Sequence, residues 1–579
     1  MERRHSARFA LAVLAIATLA VAISAGAVSS ARGTPGAAAS QEAGGSGILR
    51  IGTTSYIDSF NPWNYIEGQG LNAMVMVYPL LVQVDYSNKE GYYIAPDWAR
   101  SWKQSNGGRT WTFKLRPNTK WSDGRPMTAD DAAWTINTTV KYADGATAVQ
   151  GTSVNHVTRA TAPNKSTLIV RYDAPIGNAL WLIQGLPILP RHVWEPYEKK
   201  QKGGKALKTF RPEGKLPMVT GGAYTVKDYE KKGTTSFIAD PNFYGSKSNA
   251  DAVALTYYTN SDSMIAELRR GNLDWIDQVP FTAVNAVKKS TGVKVNQWPG
   301  GEITNITWNS NPRKPKNREL LDPRVKKALS MCVNRDRMIQ VVFGGYATKV
   351  ESLVGHISPF ENPNLGPTKY NCGAANKALD ALGYKRGSDG VRVAPATSGK
   401  YAQAAHPMKY EIIVPTSLDF NGPRMFEIVK EGFAKLGVPV TLKVGGDSTA
   451  SYALETDAKC DAAKSIGYSK FDIAMWDWIA GPEPDFQLSV VTKAQWCSWS
   501  DTGWDNPAYD KLYEQQGVTA DPAKRRAIIY KMQKMVYDAF VYTQLTNHVA
   551  LDATSTKWTG FKNPLNAFSK TYYTSPRKG

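Results

Sequence analysis

From Thr110 to Arg116 the chain alternates polar and apolar residues (Thr110, Trp111, Thr112, Phe113, Lys114, Leu115, Arg116), and a period of two is that of a strand with one buried face. Asn106-Gly107-Gly108 just before it supplies a turn, so two strands are predicted to meet there. A second turn falls at Ser122-Asp123-Gly124. Thr128, followed three residues later by Asp131, is an acidic variant of the capping box and predicts a helix through Ala132, Trp134 and Ile136. Elsewhere residues 48–53 predict a strand and 71–81 an apolar helix. Residues 409–415, 423–436 and 438–444 predict a strand, a helix and a strand of the βαβ kind, and 521–540 a long amphipathic helix. Strand-like and helix-like segments alternate without a repeat period, which puts the chain in the α/β class.

At 579 residues the chain exceeds the roughly 250 to 300 beyond which one core stops growing, so at least two domains are expected. Hydrophobic content of 42% against 21% charged is ordinary for a soluble globular protein. The N-terminus carries charges at Glu2, Arg3, Arg4 and Arg8, an apolar run from Phe9 to Ala25, and small residues that suit cleavage at Ala25-Gly26-Ala27 or Ser29-Ser30-Ala31. Residues 1–27 therefore read as a signal peptide. An N-terminal anchor is the competing reading, because the apolar run approaches the ~17 to 20 residues that span a bilayer. Residues 28–47 read as a flexible linker. Four cysteines in an exported chain allow two disulfides. Cys460 with Cys497 is the favoured pair because both lie among loop-like residues, Cys332 with Cys372 is second, and buried free thiols are the alternative.

The formal charge of +20 invites a nucleic-acid reading. Losing Arg3, Arg4 and Arg8 against Glu2 with the leader takes +20 to +18, and the short basic runs are separated by acidic and apolar segments. No RNP, zinc-finger or basic-zipper pattern is present, so no nucleic-acid partner is expected. Catalysis also lacks a constellation. The six histidines stand at 5, 156, 192, 356, 406 and 548, with no GxSxG elbow and no HExxH. Gly446-Asp447-Ser448 reads as a turn after a strand, the Gly-rich dipeptides lack phosphate-loop spacing, and Asp130 with Asp131 suits a helix start. Neither a cofactor nor a metal is expected.

The run 96–136, PDWARSWKQSNGGRTWTFKLRPNTKWSDGRPMTADDAAWTI, resembles the signature of extracytoplasmic solute-binding protein family 5, the peptide, nickel and oligosaccharide receptors of ABC importers. Members carry a similar series of LAxSW, a turn, TWTFxLR and WSDGxPxTAxD. Further matches follow in order: PILPRHV at 187–193, TGGAY at 220–224, DPNFYG at 240–245, LRRGNLD at 268–274, DPRVKKAL at 322–329, NRDRMIQVVFGG at 334–345 and FDIAMWDWIAGPEPD at 471–485. The resemblance implies a type II periplasmic-binding-protein fold, two lobes with an additional inserted domain. Domain I would take 48–90, 212–300 and 545–579, domain II 91–211 and domain III 301–544, with crossovers near 301–308 and 541–548 as the hinge. It implies a non-catalytic, monomeric receptor in the periplasm or on the outer face of the cell membrane. That receptor would capture a peptide or similar small-molecule solute, close over it, and deliver it to ABC permease subunits. Membrane association would come through the permease or an uncleaved N-terminus. An oligosaccharide receptor is the alternative within the family, and a secreted hydrolase the alternative from another class.

Seventeen tryptophans exceed the norm, and Trp476, Trp478, Trp496, Trp499 and Trp504 concentrate in one region. Flat aromatic faces suit apolar side chains or sugar rings, with core packing as the competing reading for most. Trp476 and Trp478 flank Asp477 in an alternating segment that ends in Ile479-Ala480-Gly481-Pro482. In the peptide-binding members of the family the matching stretch reads Trp, two small or apolar residues, and an Asp that pairs with the peptide ammonium. Here Trp478, Ile479 and Ala480 align, and Gly481 stands where the Asp would be. A buried ammonium without a counter-charge is costly, so Asp477 and Asp485 are the substitute candidates. Ile66-Glu67-Gly68-Gln69 resembles the IEG loop of the oligopeptide receptors, which makes Glu67 and Gln69 candidate ligand contacts.

Overall fold

The computed structural model describes residues 47–87, 93–415, 422–445, 461, 468, 471–563 and 569–579. Residues 1–27, the linker before Gly47, Cys460 and Gly446-Asp447-Ser448 lie outside the described residues. The chain divides into two compact units. The first comprises the residues up to Ala174, Ala179–Asn296 and Leu551–Gly579, the second Pro175–Asn178 and Gln297–Ala550. Two long strands, Val293–Trp308 and Tyr542–Ser555, carry the chain from one to the other.

In the first unit the strand Ile48–Thr53 runs parallel to Ala252–Tyr257 on one side and Trp275–Ile276 on the other. Antiparallel strands Thr234–Ala239 and Tyr224–Asp228 extend the sheet, and Trp275 pairs with Thr554 from the chain's last segment. A second sheet orders Ala99–Ser105, Thr110–Leu115, Thr167–Tyr172 and Val157–Asn164, all antiparallel. Trp111, Phe113 and Leu115 are buried as the alternation predicts, and Gly107 takes φ 61° at the turn, a region glycine enters without steric cost. Helix Ala129–Lys141 opens on the predicted capping box: Asp131 accepts from Thr128 N at 2.9 Å and also from Arg191 N at 3.0 Å.

The predicted helix at 71–81 instead spans Gly68–Val77. It starts at Glu67, an extended N-cap residue, and it stops because Tyr78 precedes Pro79, whose ring excludes the helical region for its neighbour and leaves Tyr78 at ψ 149°. Trp63, Trp194 and Trp275 are fully buried in this unit's core, so these tryptophans are packing residues. Lys570, near the C-terminus, forms a buried ion pair with Asp97, which also accepts from Leu80 N and Tyr244 Oη at 2.9 Å each.

In the second unit Tyr410–Pro415 and Val440–Gly445 run parallel, as the βαβ pattern predicts, with helix Gly422–Lys435 between them in sequence. Ile473–Ile479 pairs antiparallel with residues 302–308 of the first crossing strand. Helix Pro522–Asp538 starts at Asp521, whose side chain accepts from Lys524 N at 2.9 Å. Lys314 and Asp472 form a fully buried pair at 2.9 Å. Lys326 is 2% exposed with Ser310 Oγ at 3.3 Å, and burial pushes its ammonium down to about 7. The short segment Pro175–Asn178 joins this unit through Gly177 N, which donates to Gly517 O at 2.8 Å.

Cys332 and Cys372 are disulfide-bonded across 40 residues. Cys497 is disulfide-bonded too, and no described cysteine is a free thiol.

Candidate functional site

Seven of the candidate residues fall on the strand Ile473–Ile479 and the turn and short helix that follow it. The strand's alternation sends Trp476, Trp478 and Ala480 to one side and Asp477 and Ile479 to the other. Its ladder with Tyr410–Pro415 covers Ile473 and Ala474; among the described residues, the same edge from Met475 onward has no strand partner.

Trp476 is half-buried against a cluster of Ile413, Tyr468, Phe471, Ala474 and Trp496. Trp478 is more deeply placed, 7% exposed, with Phe486 edge-on at 5.7 Å. Its indole Nε1 donates to Asp501 Oδ2 at 3.1 Å. Asp501 is fully buried; Tyr542 Oη donates to its other oxygen, Thr307 Oγ1 lies 3.4 Å from Oδ2, and desolvation outweighs these donors and pushes the carboxyl up to about 7. Nothing in the sequence marked Asp501, because its partners come from three segments that are distant along the chain.

On the opposite side, Asp477 is half-buried and faces Thr304 across the ladder. Its charge acts on His548, 3% exposed, whose burial nonetheless drives the imidazole down to about 3. Ile479 is 56% exposed, an apolar side chain held out at the strand's end. Its carbonyl accepts from Gln487 Nε2 at 2.6 Å. Ala480 is buried with Ile303 and Val350, and its N–H donates to Gly301 O at 2.7 Å. A Cβ on Gly481 would meet nothing closer than Glu483 O at 3.7 Å, so no crowding keeps an acidic side chain from that position.

Asp485 is engaged elsewhere. Gln516 Nε2 donates to its Oδ1 at 2.8 Å and Tyr513 Oη to its Oδ2 at 3.3 Å. Beside it Arg525, 1% exposed, donates from Nη1 to Glu483 Oε2 at 2.8 Å and from Nε to Gln516 Oε1 at 3.0 Å. Gln516 and Tyr513 join the Arg525 guanidinium and the two carboxylates into one network.

In the first unit the loop before helix Gly68–Val77 holds Ile66 73% exposed, its N–H donating to Asp58 Oδ2 at 2.6 Å. Glu67 is half-buried and accepts from Ser55 Oγ at 3.2 Å. Gln69 is 8% exposed and lines a cavity of about 160 Å³ with Asn72, Trp275, Asp277, Tyr572 and Tyr573 over Ile51 and Leu255. Asp277 Oδ1 and Trp275 Nε1 are both shielded from solvent without a hydrogen-bond partner. Desolvation outweighs a hydrogen bond with the Thr53 side chain and, aided by the charge of Asp552, pushes the Asp277 carboxyl up to about 6. No local motif marks this cavity, since Tyr572 and Tyr573 stand almost three hundred residues beyond Trp275. Among the described residues no group of His, Cys, Asp and Glu could hold a metal ion.

The family model described as bacterial extracellular solute-binding proteins, family 5 Middle, matches residues 93–496. A probable D,D-dipeptide-binding periplasmic protein of Escherichia coli (strain K12) is 23% identical over 509 residues, 86% of this chain and 88% of that one. Among solved structures, an ABC transporter substrate-binding protein from Listeria monocytogenes superposes with TM-score 0.73 at 19% identity, covering 92% of this chain and 99% of its own. The oligopeptide-binding protein of Bacillus subtilis in complex with a nonapeptide gives TM-score 0.64 at 16% identity, with 92% of this chain and 99% of that one covered.

Proposed function

The chain belongs to the bacterial extracellular solute-binding proteins of family 5, and from that membership we propose that it is the peptide-capturing receptor of an ABC importer, working outside the cytoplasmic membrane. The observation that supports a peptide over an oligosaccharide is the strand edge at residues 475–479, where, among the described residues, the ladder stops at Ala474 while the strand continues to Ile479. An extended peptide adds to such an edge through main-chain hydrogen bonds, and side-chain pockets then set selectivity. Exposed Ile479 and half-buried Trp476 flank that edge with apolar surface. Trp478, with its indole tied to Asp501, offers little face for a sugar ring.

The relatives support the same solute class, being named as dipeptide-binding or solved with a nonapeptide. The division into domain I, inserted domain II and domain III, closure about the two crossing strands, the monomeric state, the absence of catalysis and delivery to permease subunits complete the proposal. Native mass spectrometry of the protein as purified, followed by calorimetry with a defined tripeptide pool and an oligosaccharide pool, tests it. Saturable peptide binding without product supports the reading; binding confined to the sugars, or turnover of either pool, sinks it.

A further inference from the structure

Residues 199–215, in the first unit, carry seven Lys and Arg against one acid, Glu213, and all seven cations are exposed. The acid is turned inward. Its side chain is 6% exposed and accepts from Phe60 N at 3.3 Å, with Arg211 Nε 3.9 Å away. The two acids just before the run are taken as well. Glu195 pairs with Arg191 at 2.9 Å and Lys199 at 3.3 Å, and Glu198 with Lys141 and the indole of Trp134 at 2.9 Å each. Lys200, Lys202, Lys205, Lys208 and Lys215 are left with no ion-pair partner among the described residues.

The fold gathers most of this charge at one corner. Helix Arg191–Lys200 and the short helix Lys205–Thr209 fold back on each other, with Phe210 stacked on Tyr197 at 3.9 Å and edge-on to Trp194 at 4.8 Å. Gly203 and Gly204 make the reversal at φ 71° and 69°, and a Cβ on Gly204 would stand 3.1 Å from that of Ala146 and 3.2 Å from the Tyr142 ring, so a side chain there is both strained and crowded. Asn61 Nδ2 donates to Leu207 O and Phe210 O at 2.8 Å each, and Asn64 Nδ2 to Lys208 O at 2.7 Å. These bonds pin the second helix with Ala206 and Leu207 buried and Lys205 and Lys208 facing out.

Local rules do not call for such a crowd of like charge. Lys199 and Lys200 occupy the last turn of their helix, where a cation complements the dipole, but Lys202 lies beyond it and Lys205 opens its own helix, the end that suits a cation least. Like charges within a Debye length of about 8 to 10 Å repel one another, and a partner of opposite sign relieves that repulsion. Two features narrow the partner. The unpaired cations are all ammoniums, point charges on flexible stems that suit many dispersed phosphates, whereas a guanidinium fork grips a single one. Among residues 191–215 no large apolar side chain is exposed, so the contact is adhesion to a charged surface without insertion.

We propose that this corner is a docking surface for an anionic phospholipid bilayer, whose headgroup phosphates are held by the ammonium groups of Lys200, Lys202, Lys205 and Lys208. The proposal rests on the extracytoplasmic-receptor reading for a bilayer's being at hand, and it is independent of the solute. Adhesion of this kind is diffuse and salt-sensitive, so it holds no single pose; it turns the search for a permease from three dimensions into two.

The probes are vesicles of phosphatidylcholine alone or with an equal part of phosphatidylglycerol, and soluble polyphosphate. In low salt the protein should sediment with the mixed vesicles at least about tenfold more than with the neutral ones, and ~0.5 M salt should release it. Lys200→Glu, Lys202→Glu, Lys205→Glu and Lys208→Glu together should bring sedimentation down to the neutral-vesicle level. The same four changed to Gln, which adds no new charge, should weaken it at least threefold. Lys369→Glu, Lys377→Glu, Lys385→Glu and Lys511→Glu, exposed lysines of the second unit, make the same change in net charge and should leave most of the binding in place. Equal losses in the two Glu sets would mean that net charge and not this corner is read, and would overturn the proposal. So would binding to polyphosphate without binding to the mixed vesicles, which assigns the corner to a soluble or wall polymer. Calorimetry with the tripeptide pool keeps the two readings apart: vesicle binding in a protein that takes no peptide leaves the surface and removes the peptide receptor, and peptide binding without vesicle binding does the reverse.

Discussion

The indole of Trp478 hydrogen-bonds the carboxyl of Asp501 at 3.1 Å, behind the strand whose far side carries Asp477 and Ile479. A residue that the sequence offers as a ligand platform is thus the tie between that strand and a fully buried acid. Replacing Trp478 by Ala should therefore act on stability first, with a loss of about 3 to 5 kcal/mol for a buried aromatic. Trp478→Phe should cost about 1 to 3 kcal/mol, the penalty for leaving the Asp501 oxygen without its donor. Urea unfolding measures both. A Trp478→Ala protein as stable as its parent, with binding lost, would return this side chain to the ligand.

Trp476 is the indole with surface to offer. Trp476→Ala should weaken tri-alanine or longer peptides by about 2 kcal/mol in calorimetry, as truncation of aromatic anchors does elsewhere. Asp485→Asn should leave affinity within about 0.5 kcal/mol of the parent and should lower unfolding stability by about 1 to 3 kcal/mol, because the Gln516 and Tyr513 donors lose a charged acceptor.

Two buried groups of the second unit give pH signatures of opposite sign. Asp501 is held up at about 7 against an unfolded value near the ordinary 3.8, so the folded state keeps its proton where the unfolded state has lost it, and its contribution falls as pH rises between those values. Lys326 is pushed down to about 7 from 10.5; there the unfolded state holds the extra proton, and stability rises from about pH 7 toward pH 10. Subtracting the unfolding profile of Asp501→Asn from the parent should isolate a descending arm below pH 7. Lys326→Met should isolate an ascending arm above it and be a few kcal/mol more stable than the parent at pH 6, since a charge no longer has to be buried. Superimposable profiles for parent and variant would mean that the group titrates normally.

Non-reducing peptide mapping should recover Cys332 linked to Cys372. At a sequence separation of 40, the chain-entropy account gives about 4 kcal/mol for the closed loop, which Cys332→Ala with Cys372→Ala should forfeit.

Much of the fold was legible because it is written locally. The alternation at 110–115, the Thr128 and Asp131 capping box, and the strand, helix and strand at 410–445 each depend on neighbours within a dozen residues. The start of helix Gly68–Val77 was not, since Glu67, Gly68 and Gly70 carry none of the usual opening signals. Its end was available in the Tyr78-Pro79 pair. The site was half legible: motif matching placed Trp476 through Gly481 on one strand, whereas burial decides which of those side chains faces solvent. The Asp277 cavity was beyond reach, because it exists only where residues 51, 69, 275 and 572 converge.

The described cysteines, Cys332, Cys372 and Cys497, belong to the second unit, which apart from four residues is one unbroken stretch, Gln297–Ala550. The first unit is finished only by Leu551–Gly579. During synthesis the second unit therefore has its whole sequence before the first does, and Asp97 waits for Lys570 across nearly the full length of the chain. Until that lysine arrives, a carboxylate destined for the core has no counter-charge, and the first unit stays open-chained. A polypeptide that threads a translocation pore profits from that delay, because half of it cannot close before its last residues are made. A chain halted at residue 562 should accordingly show a protease-resistant second unit beside a digestible first one, and equal resistance in both would refute this order of events.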